Sequence, residues 1–215
     1  MSSLPHSRLH GKGVYAITDG PRDDLFAAVE AALAGGVRLL QYRDTTRDVE
    51  RRRAEADEIS RLCAGHGVPL IIDADLELAR QTSAGLHVGR DDVSIADARA
   101  ALGPDAIIGA ACYGSLERAR RMAAEGADYL SFGAMYRSTT LPDATVVSHD
   151  LLTQVTALGV PVVAIGGINA DNAKALIDAG ADYVAAISAV FAARDIQTAT
   201  RRLADLFDPH PGILR

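Results

Sequence analysis

The sequence contains no tryptophan, only two cysteines, and fewer basic than acidic residues. Cys63 and Cys112 lack the paired spacing of a zinc or dithiol site, so we expect free thiols in a reducing cytoplasm. The formal net charge of −6 argues against nucleic acid as the main partner. No apolar run reaches membrane-spanning length, and the N-terminus lacks the apolar region of a signal peptide. These absences favour a cytoplasmic protein without nucleic-acid or membrane partners and leave its oligomeric state open.

What the chain does contain is a regular alternation of short apolar runs and amphipathic stretches, within a composition that is 48% hydrophobic. The runs with strand character are 14–18, 38–43, 69–72, 85–88, 106–111, 129–133, 161–165 and 183–187. Helical periodicity occupies the intervals between them. Eightfold strand–helix alternation in 215 residues predicts an α/β fold, a single (β/α)8 barrel. We place the barrel at residues 13–208, after a flexible leader (1–12) and before a C-terminal tail (209–215).

The last two predicted strands end in sequences suited to binding phosphate. Gly166 and Gly167 follow the seventh strand, where backbone can approach a ligand without an intervening Cβ. Asn169 is suited to cap a helix starting near position 170, and free N–H groups at a helix start attract anions. Ser188 follows the eighth strand in the same way. Gly-Gly after a strand also makes an ordinary tight turn, but the neighbouring second site favours phosphate binding.

Charged side chains gather at other strand ends, where a barrel of this kind carries its chemistry. Arg43 suits phosphate oxygens through its planar guanidinium, and an internal salt bridge with a nearby aspartate remains equally open. Asp73, Asp91 and Asp92 together offer hard oxygen ligands for Mg²⁺, with helix capping and surface charge as the alternative, above all for Asp91. His87, inside a predicted strand, is expected to be a hydrogen-bonded core histidine.

Ordered motifs from about residue 13 to 207 resemble the thiamine-phosphate synthase family. The matching segments are 13–19 (GVYAITD), 40–44 (LQYRD), 85–92 (GLHVGRDD), 107–109 (IIG), 126–133 (GADYLSFG), 164–168 (AIGGI) and 187–188 (IS). The resemblance implies a barrel enzyme that joins a pyrimidine diphosphate to a thiazole phosphate in thiamine biosynthesis, with Mg²⁺ as cofactor and release of diphosphate. Thiazole tautomerases share the fold, but Ala134 stands where their catalytic histidine would lie.

The resemblance also implies roles for individual residues. Arg43 and Thr139 become the catalytic candidates, and Asp92 the metal ligand. The residues expected to bind the phosphorylated heterocyclic substrates are Gln41, Arg43, Asp73, Thr139, Thr140, Gly166, Gly167, Ile187 and Ser188.

Five departures from the family pattern all fall on the half that would bind diphosphate and metal. Thr45 and Thr140 replace lysines, Asp73 and Ala74 replace an Asn-Asp pair, and Ala111 replaces a serine. Fewer cations and the loss of the metal carboxylate at position 74, for which Asp73 could substitute from the neighbouring position, predict weak Mg²⁺–diphosphate binding and low synthase activity. The alternative is a non-catalysing or divergent barrel homologue that still binds a small phosphorylated ligand.

Overall fold

A computed structural model describes residues 8–9, 11–137 and 145–208. Eight parallel strands form one closed barrel in the order β1 to β8, which confirms the predicted fold. The strands are β1 (Gly13–Ile17), β2 (Val37–Tyr42), β3 (Leu70–Asp73), β4 (Gly85–Val88), β5 (Ile108–Tyr113), β6 (Tyr129–Phe132), β7 (Val162–Ile165) and β8 (Tyr183–Ala186). Because every strand is parallel, all eight carboxyl ends lie at one end of the barrel, called here the C-terminal mouth.

The helices cover the outside of the barrel. They are α1 (Leu25–Ala34), α2 (Val49–His66), α3 (Leu76–Thr82), α4 (Ile95–Leu102), α5 (Leu116–Ala124), α6 (Asp150–Val155), α7 (Ala173–Asp178), α8 (Ser188–Phe191) and α9 (Ile196–Ala204). Ser94, Ser115 and Asp195 each cap the helix that follows by accepting a backbone N–H. Asp24 stands before α1 without capping it, because its carboxylate pairs with Arg22 instead.

Strand residues alternate between two apolar cores. In β2, Leu40 and Tyr42 face the helices, whereas Leu39 packs inside the barrel with Tyr15 and Tyr129. This is the two-residue period of a strand whose two faces are both covered. Gln41, next in the inward series after Leu39, therefore opens into the mouth.

Two element boundaries differ from the sequence prediction in ways that affect the mouth. β5 runs to Tyr113 rather than ending at 111, so Tyr113 reaches the barrel end. The helix after β7 begins at Ala173 rather than near 170. The Asn169 side chain accepts the N–H groups of Asp171 and Asn172, and this turn occupies the intervening residues.

Two residues of the expected leader pack against the opposite end of the barrel. Leu9 is buried in the interior cluster, and Arg8 forms a 2.7 Å salt bridge with buried Asp128. Arg99 pairs with the other oxygen of the same carboxylate. Within the described ranges, no helix combines the length and apolarity needed to cross a bilayer.

Candidate active site at the C-terminal mouth

A cavity of about 440 Å³ occupies the C-terminal mouth. Inward-facing residues at successive strand ends form its floor, because the alternation of the barrel interior continues to the last residue of each strand. They include Gln41, Asp73, His87, Ala111, Ser131 and Ile187. Such a volume suits a small-molecule ligand.

The structure gathers most of the predicted site residues around this cavity. Gln41, Arg43, Asp73, Asp92, Gly166 and Ile187 line it. Gly167 and Ser188 do not line it, but each directly follows a residue that does. Thr139 and Thr140 lie outside the described residues.

Asp73 is held by one residue of β2 and by one that directly follows it. Gln41 Nε2 donates to Asp73 Oδ1 at 2.9 Å, and Arg43 Nε lies 3.5 Å from Asp73 Oδ2. The internal salt bridge left open for Arg43 is therefore present. The Arg43 side chain nevertheless keeps 37% of its surface exposed, so its guanidinium remains accessible to a ligand anion.

Asp73 and Asp92 present two carboxylates to the same cavity. Burial raises the pKa of Asp73, Arg43 lowers it, and the negative charge of Asp92 raises it further. Asp92 Oδ2 accepts a 2.6 Å hydrogen bond from the Gly89 N–H. Two oxygen-donor carboxylates that repel one another suit a divalent cation, since Mg²⁺ commonly takes one or two carboxylates together with substrate oxygens and water. No group of three or more potential metal ligands occurs among the residues that can be described.

A buried polar chain runs from the cavity floor into the barrel. His87 Nδ1 lies 2.9 Å from the Tyr129 hydroxyl, which lies 2.8 Å from the Tyr15 hydroxyl. His87 Nε2 is 3.5 Å from Ser131 Oγ at the floor. Burial lowers the pKa of His87 to about 4, so the imidazole is neutral at pH 7. The expected hydrogen-bonded core histidine is confirmed, but His87 also faces the cavity, as does Ser131, which the sequence analysis did not select.

Tyr113 is a second mouth residue that the sequence analysis did not select. It lines the cavity with its backbone at φ 56°, and its hydroxyl accepts the Arg90 N–H at 3.2 Å. The Arg90 guanidinium lies 5.0 Å from the Tyr113 ring centroid, a cation–π distance. Arg118 donates to the carbonyls of Ala111 and Gly89. These contacts join the loops after β4 and β5.

The two glycines after β7 adopt conformations that favour glycine, with φ 103° at Gly166 and φ 65° at Gly167. A Cβ at Gly166 would lie 2.6 Å from Ala134, and one at Gly167 would lie 2.6 Å from the Arg137 carbonyl. Sequence reasoning assigned this space to a ligand. The chain itself fills it, because the loop after β6 packs directly against both glycines.

The end of β8 lies beside the glycine turn, since β7 and β8 pair through Ile165 and Ala185. Ser188 opens α8 directly after Ile187. α8 is a single turn, and the N–H groups of Val190 and Phe191 donate to the Ile187 carbonyl. Its start lies at the mouth, where the leading N–H groups of a helix can attract an anion.

A larger cavity, of about 570 Å³, lies at the opposite end of the barrel beside Lys12, Arg38 and Arg201. Two of its cations are already engaged: Lys12 pairs with Asp182 at 2.9 Å, and Arg201 donates to the Ala34 carbonyl. None of the predicted site residues lines it. The smaller cavity at the C-terminal mouth is therefore the candidate active site.

The chain is similar to known proteins over most of its length. The family model described as thiamine monophosphate synthase matches residues 14–190. A thiamine-phosphate synthase of Thiobacillus denitrificans is 50% identical over 93% of this chain and 96% of its own length. One from Chromobacterium violaceum is 49% identical over 91% of this chain and 96% of its own. The structure of thiamine phosphate pyrophosphorylase from Pyrococcus furiosus superposes with a TM-score of 0.83 at 32% identity, covering 94% of this chain and 96% of that one.

Proposed function

The chain belongs to the thiamine monophosphate synthase family, and from that premise we propose that it acts as a thiamine-phosphate synthase in the cytoplasm. The reaction joins a hydroxymethylpyrimidine diphosphate to a thiazole phosphate and releases diphosphate. The observation that carries the proposal is one cavity with Arg43 and two carboxylates on one side and the glycine turn of β7 on the other.

The pyrimidine diphosphate binds, on this proposal, at the ends of β2 and β3. Arg43 contributes a partly exposed guanidinium whose planar geometry matches phosphate oxygens. Gln41 is buried and orients Asp73 through its side-chain amide. Arg43 thus stabilises the negative charge that develops on the departing diphosphate, which is the main catalytic demand of this reaction type.

Mg²⁺ is the proposed cofactor, and Asp73 and Asp92 are the residues that would hold it. Both line the cavity, and their mutual repulsion would be relieved by a divalent cation. When bound, the ion would neutralise charge on the leaving diphosphate. Asp73 then serves in place of the carboxylate that the family pattern carries at position 74.

The thiazole phosphate binds, on this proposal, at Gly166, Gly167, Ile187 and Ser188. Support comes from the adjacent ends of β7 and β8 and from the start of α8 at the mouth, because leading helix N–H groups attract anions. The phosphate would then anchor the ring so that its nitrogen faces the pyrimidine methylene carbon. Thr139 and Thr140 stay proposed contacts of the loop after β6.

The test is a coupled assay with both precursors and Mg²⁺, in which thiamine phosphate and free diphosphate are measured together. Turnover is expected for the unmodified chain, with Arg43→Gln losing at least about tenfold in kcat/KM because a charge-assisted contact is removed. Arg80→Gln is the matched control, since Arg80 lies exposed on α3 and pairs with Glu77. Absence of product with the unmodified chain would overturn the proposal.

The alternative, a non-catalysing homologue that binds a phosphorylated ligand, is not favoured. Relatives that share about half of their residues over nine-tenths of the chain carry the synthase name. Separate titrations of each precursor distinguish the two, because a binding protein would retain affinity for thiazole phosphate without forming product.

A further inference from the structure

Thr18 holds the backbone of Arg43 from both sides. Its Oγ1 accepts the Arg43 N–H at 2.8 Å and donates to the Arg43 carbonyl at 3.1 Å. The Thr18 N–H donates to the Gln41 carbonyl at 3.0 Å. Thr18 is fully buried at the end of β1, so these bonds form away from solvent.

This contact sits where the regular β1–β2 pairing has ended. β2 stops at Tyr42, and the last backbone register pair between the two strands is Ile17 with Gln41. The Thr18 hydroxyl thereby satisfies both the backbone N–H and the backbone carbonyl of Arg43, which lies two residues beyond Gln41. It fixes the point from which the Arg43 side chain enters the mouth.

The loop that follows Arg43 has a separate support. Buried Asp44 accepts the Thr46 N–H at 2.7 Å and forms a 2.7 Å salt bridge with Arg51 of α2. Loss of the Thr18 hydroxyl therefore releases Arg43 locally, while the Asp44–Arg51 pair still anchors the rest of the loop.

We propose that Thr18 is a positioning residue that aims Arg43 at the diphosphate of the pyrimidine substrate. The inference rests on the proposed function for the identity of that anion. Thr18 does not itself line the cavity. It acts by limiting the backbone freedom of Arg43, whose guanidinium contacts Asp73 at 3.5 Å among the residues that the structure describes.

The experiment compares Thr18→Val, which removes the hydroxyl at constant shape, with Thr18→Ser, which keeps it. Thr200→Val is the matched control, because Thr200 is a fully buried threonine of α9 whose hydroxyl donates to the Ile196 carbonyl. Calorimetry measures the affinity for inorganic diphosphate with Mg²⁺ and, separately, for thiazole phosphate. Amide hydrogen exchange at Arg43 reports directly on the hydrogen bond from the Arg43 N–H to Thr18 Oγ1.

Thr18→Val is expected to weaken diphosphate binding about tenfold, to leave thiazole-phosphate affinity within about twofold, and to accelerate exchange at the Arg43 amide. Thr18→Ser and Thr200→Val should match the unmodified chain in both affinities and in the exchange rate of the Arg43 amide. Equal losses for both ligands would mean a general structural role and would overturn the inference, as would unchanged exchange at Arg43. If the unmodified chain makes no product, the proposed function fails. The exchange rate of the Arg43 amide in the two Thr18 variants still tests whether the Thr18 hydroxyl holds the Arg43 backbone.

Discussion

Gln41 orients the Asp73 carboxylate by donating from Nε2 to Oδ1, across 32 positions of sequence. The bond leaves Oδ2 directed at Arg43. One carboxylate thus receives a neutral donor and a cation while its neighbour Asp92 repels it. Asp73 therefore lies between Arg43, the proposed diphosphate ligand, and Asp92, the other proposed metal ligand.

If Asp73 is a metal ligand, a carboxylate introduced at the neighbouring position 74 should compensate for its loss. Asp73→Asn should lower Mg²⁺ affinity in the presence of diphosphate at least about tenfold, because a charged ligand is lost. Adding Ala74→Asp should restore most of that affinity, since position 74 has φ 60° and aspartate tolerates this conformation. Calorimetric titration of Mg²⁺ measures both effects. Asp178→Asn, on the exposed surface of α7, is the control, and an unchanged affinity in Asp73→Asn would exclude Asp73 as a ligand.

His87 predicts a pH dependence of folding stability. Its pKa falls from 6.5 to about 4 on burial, so between these values the unfolded chain binds a proton that the folded chain does not. Stability from this residue is therefore complete above pH 6.5 and is lost as the pH falls toward 4, by about 3 kcal/mol. Urea unfolding of the unmodified chain and of His87→Gln at pH 7 and pH 4 measures this loss. Parallel losses in the two proteins would contradict the prediction.

Gly167 and Gly67 form a natural pair for testing the glycine turn, since both have φ 65°. Around Gly67 a Cβ meets nothing within 4 Å, whereas at Gly167 it would strike the Arg137 and Tyr136 carbonyls. Gly67→Ala should cost about 1 kcal/mol of unfolding free energy from backbone strain alone. Gly167→Ala should cost more and should weaken thiazole-phosphate binding by displacing the loop after β6. Urea unfolding and calorimetry measure these quantities, and equal costs at both positions would show that the loop yields without consequence.

The fold and the grouping of the candidate site residues at one barrel end could be predicted from the sequence, because both follow from short-range patterns. Apolar runs spaced by helical periodicity define β1 to β8, and parallel strands necessarily bring Gln41, Arg43 and Asp73 to one end. Alternation along β6 also predicts the orientation of Ser131. Tyr129 faces the barrel interior, so Ser131, two residues later, faces inward as well.

Other features depended on contacts that no local pattern encodes. The hydrogen bond between the Tyr15 and Tyr129 hydroxyls joins residues 114 positions apart. His87 contacts the Tyr129 hydroxyl because closure of the barrel brings β4 and β6 close together. Tyr113 was missed because β5 runs two residues further than its apolar run. The space beside Gly167 is filled by the backbone of Tyr136 and Arg137, and their position depends on how the loop after β6 folds.

The charges that line the mouth cavity bear on the expected effect of the five family departures. Among the charged residues lining the mouth cavity, Arg43 is the cation, and Asp73 and Asp92 are anions. A diphosphate adds several negative charges to this set. Binding therefore depends strongly on Mg²⁺ and on any further cation that the loops supply.

Restoring the family pattern is consequently expected to raise synthase activity steeply. The variant combines Thr45→Lys, Asp73→Asn, Ala74→Asp, Ala111→Ser and Thr140→Lys. Two added cations, each worth about 1.5–3 kcal/mol in a charge-assisted contact, should together increase kcat/KM for the pyrimidine diphosphate by about two orders of magnitude or more. The gain should exceed the product of the single effects, because these groups act on one leaving group. If the unmodified chain already matches the restored variant in a steady-state assay at saturating Mg²⁺, the substitutions are neutral and the present residues form a complete synthase site.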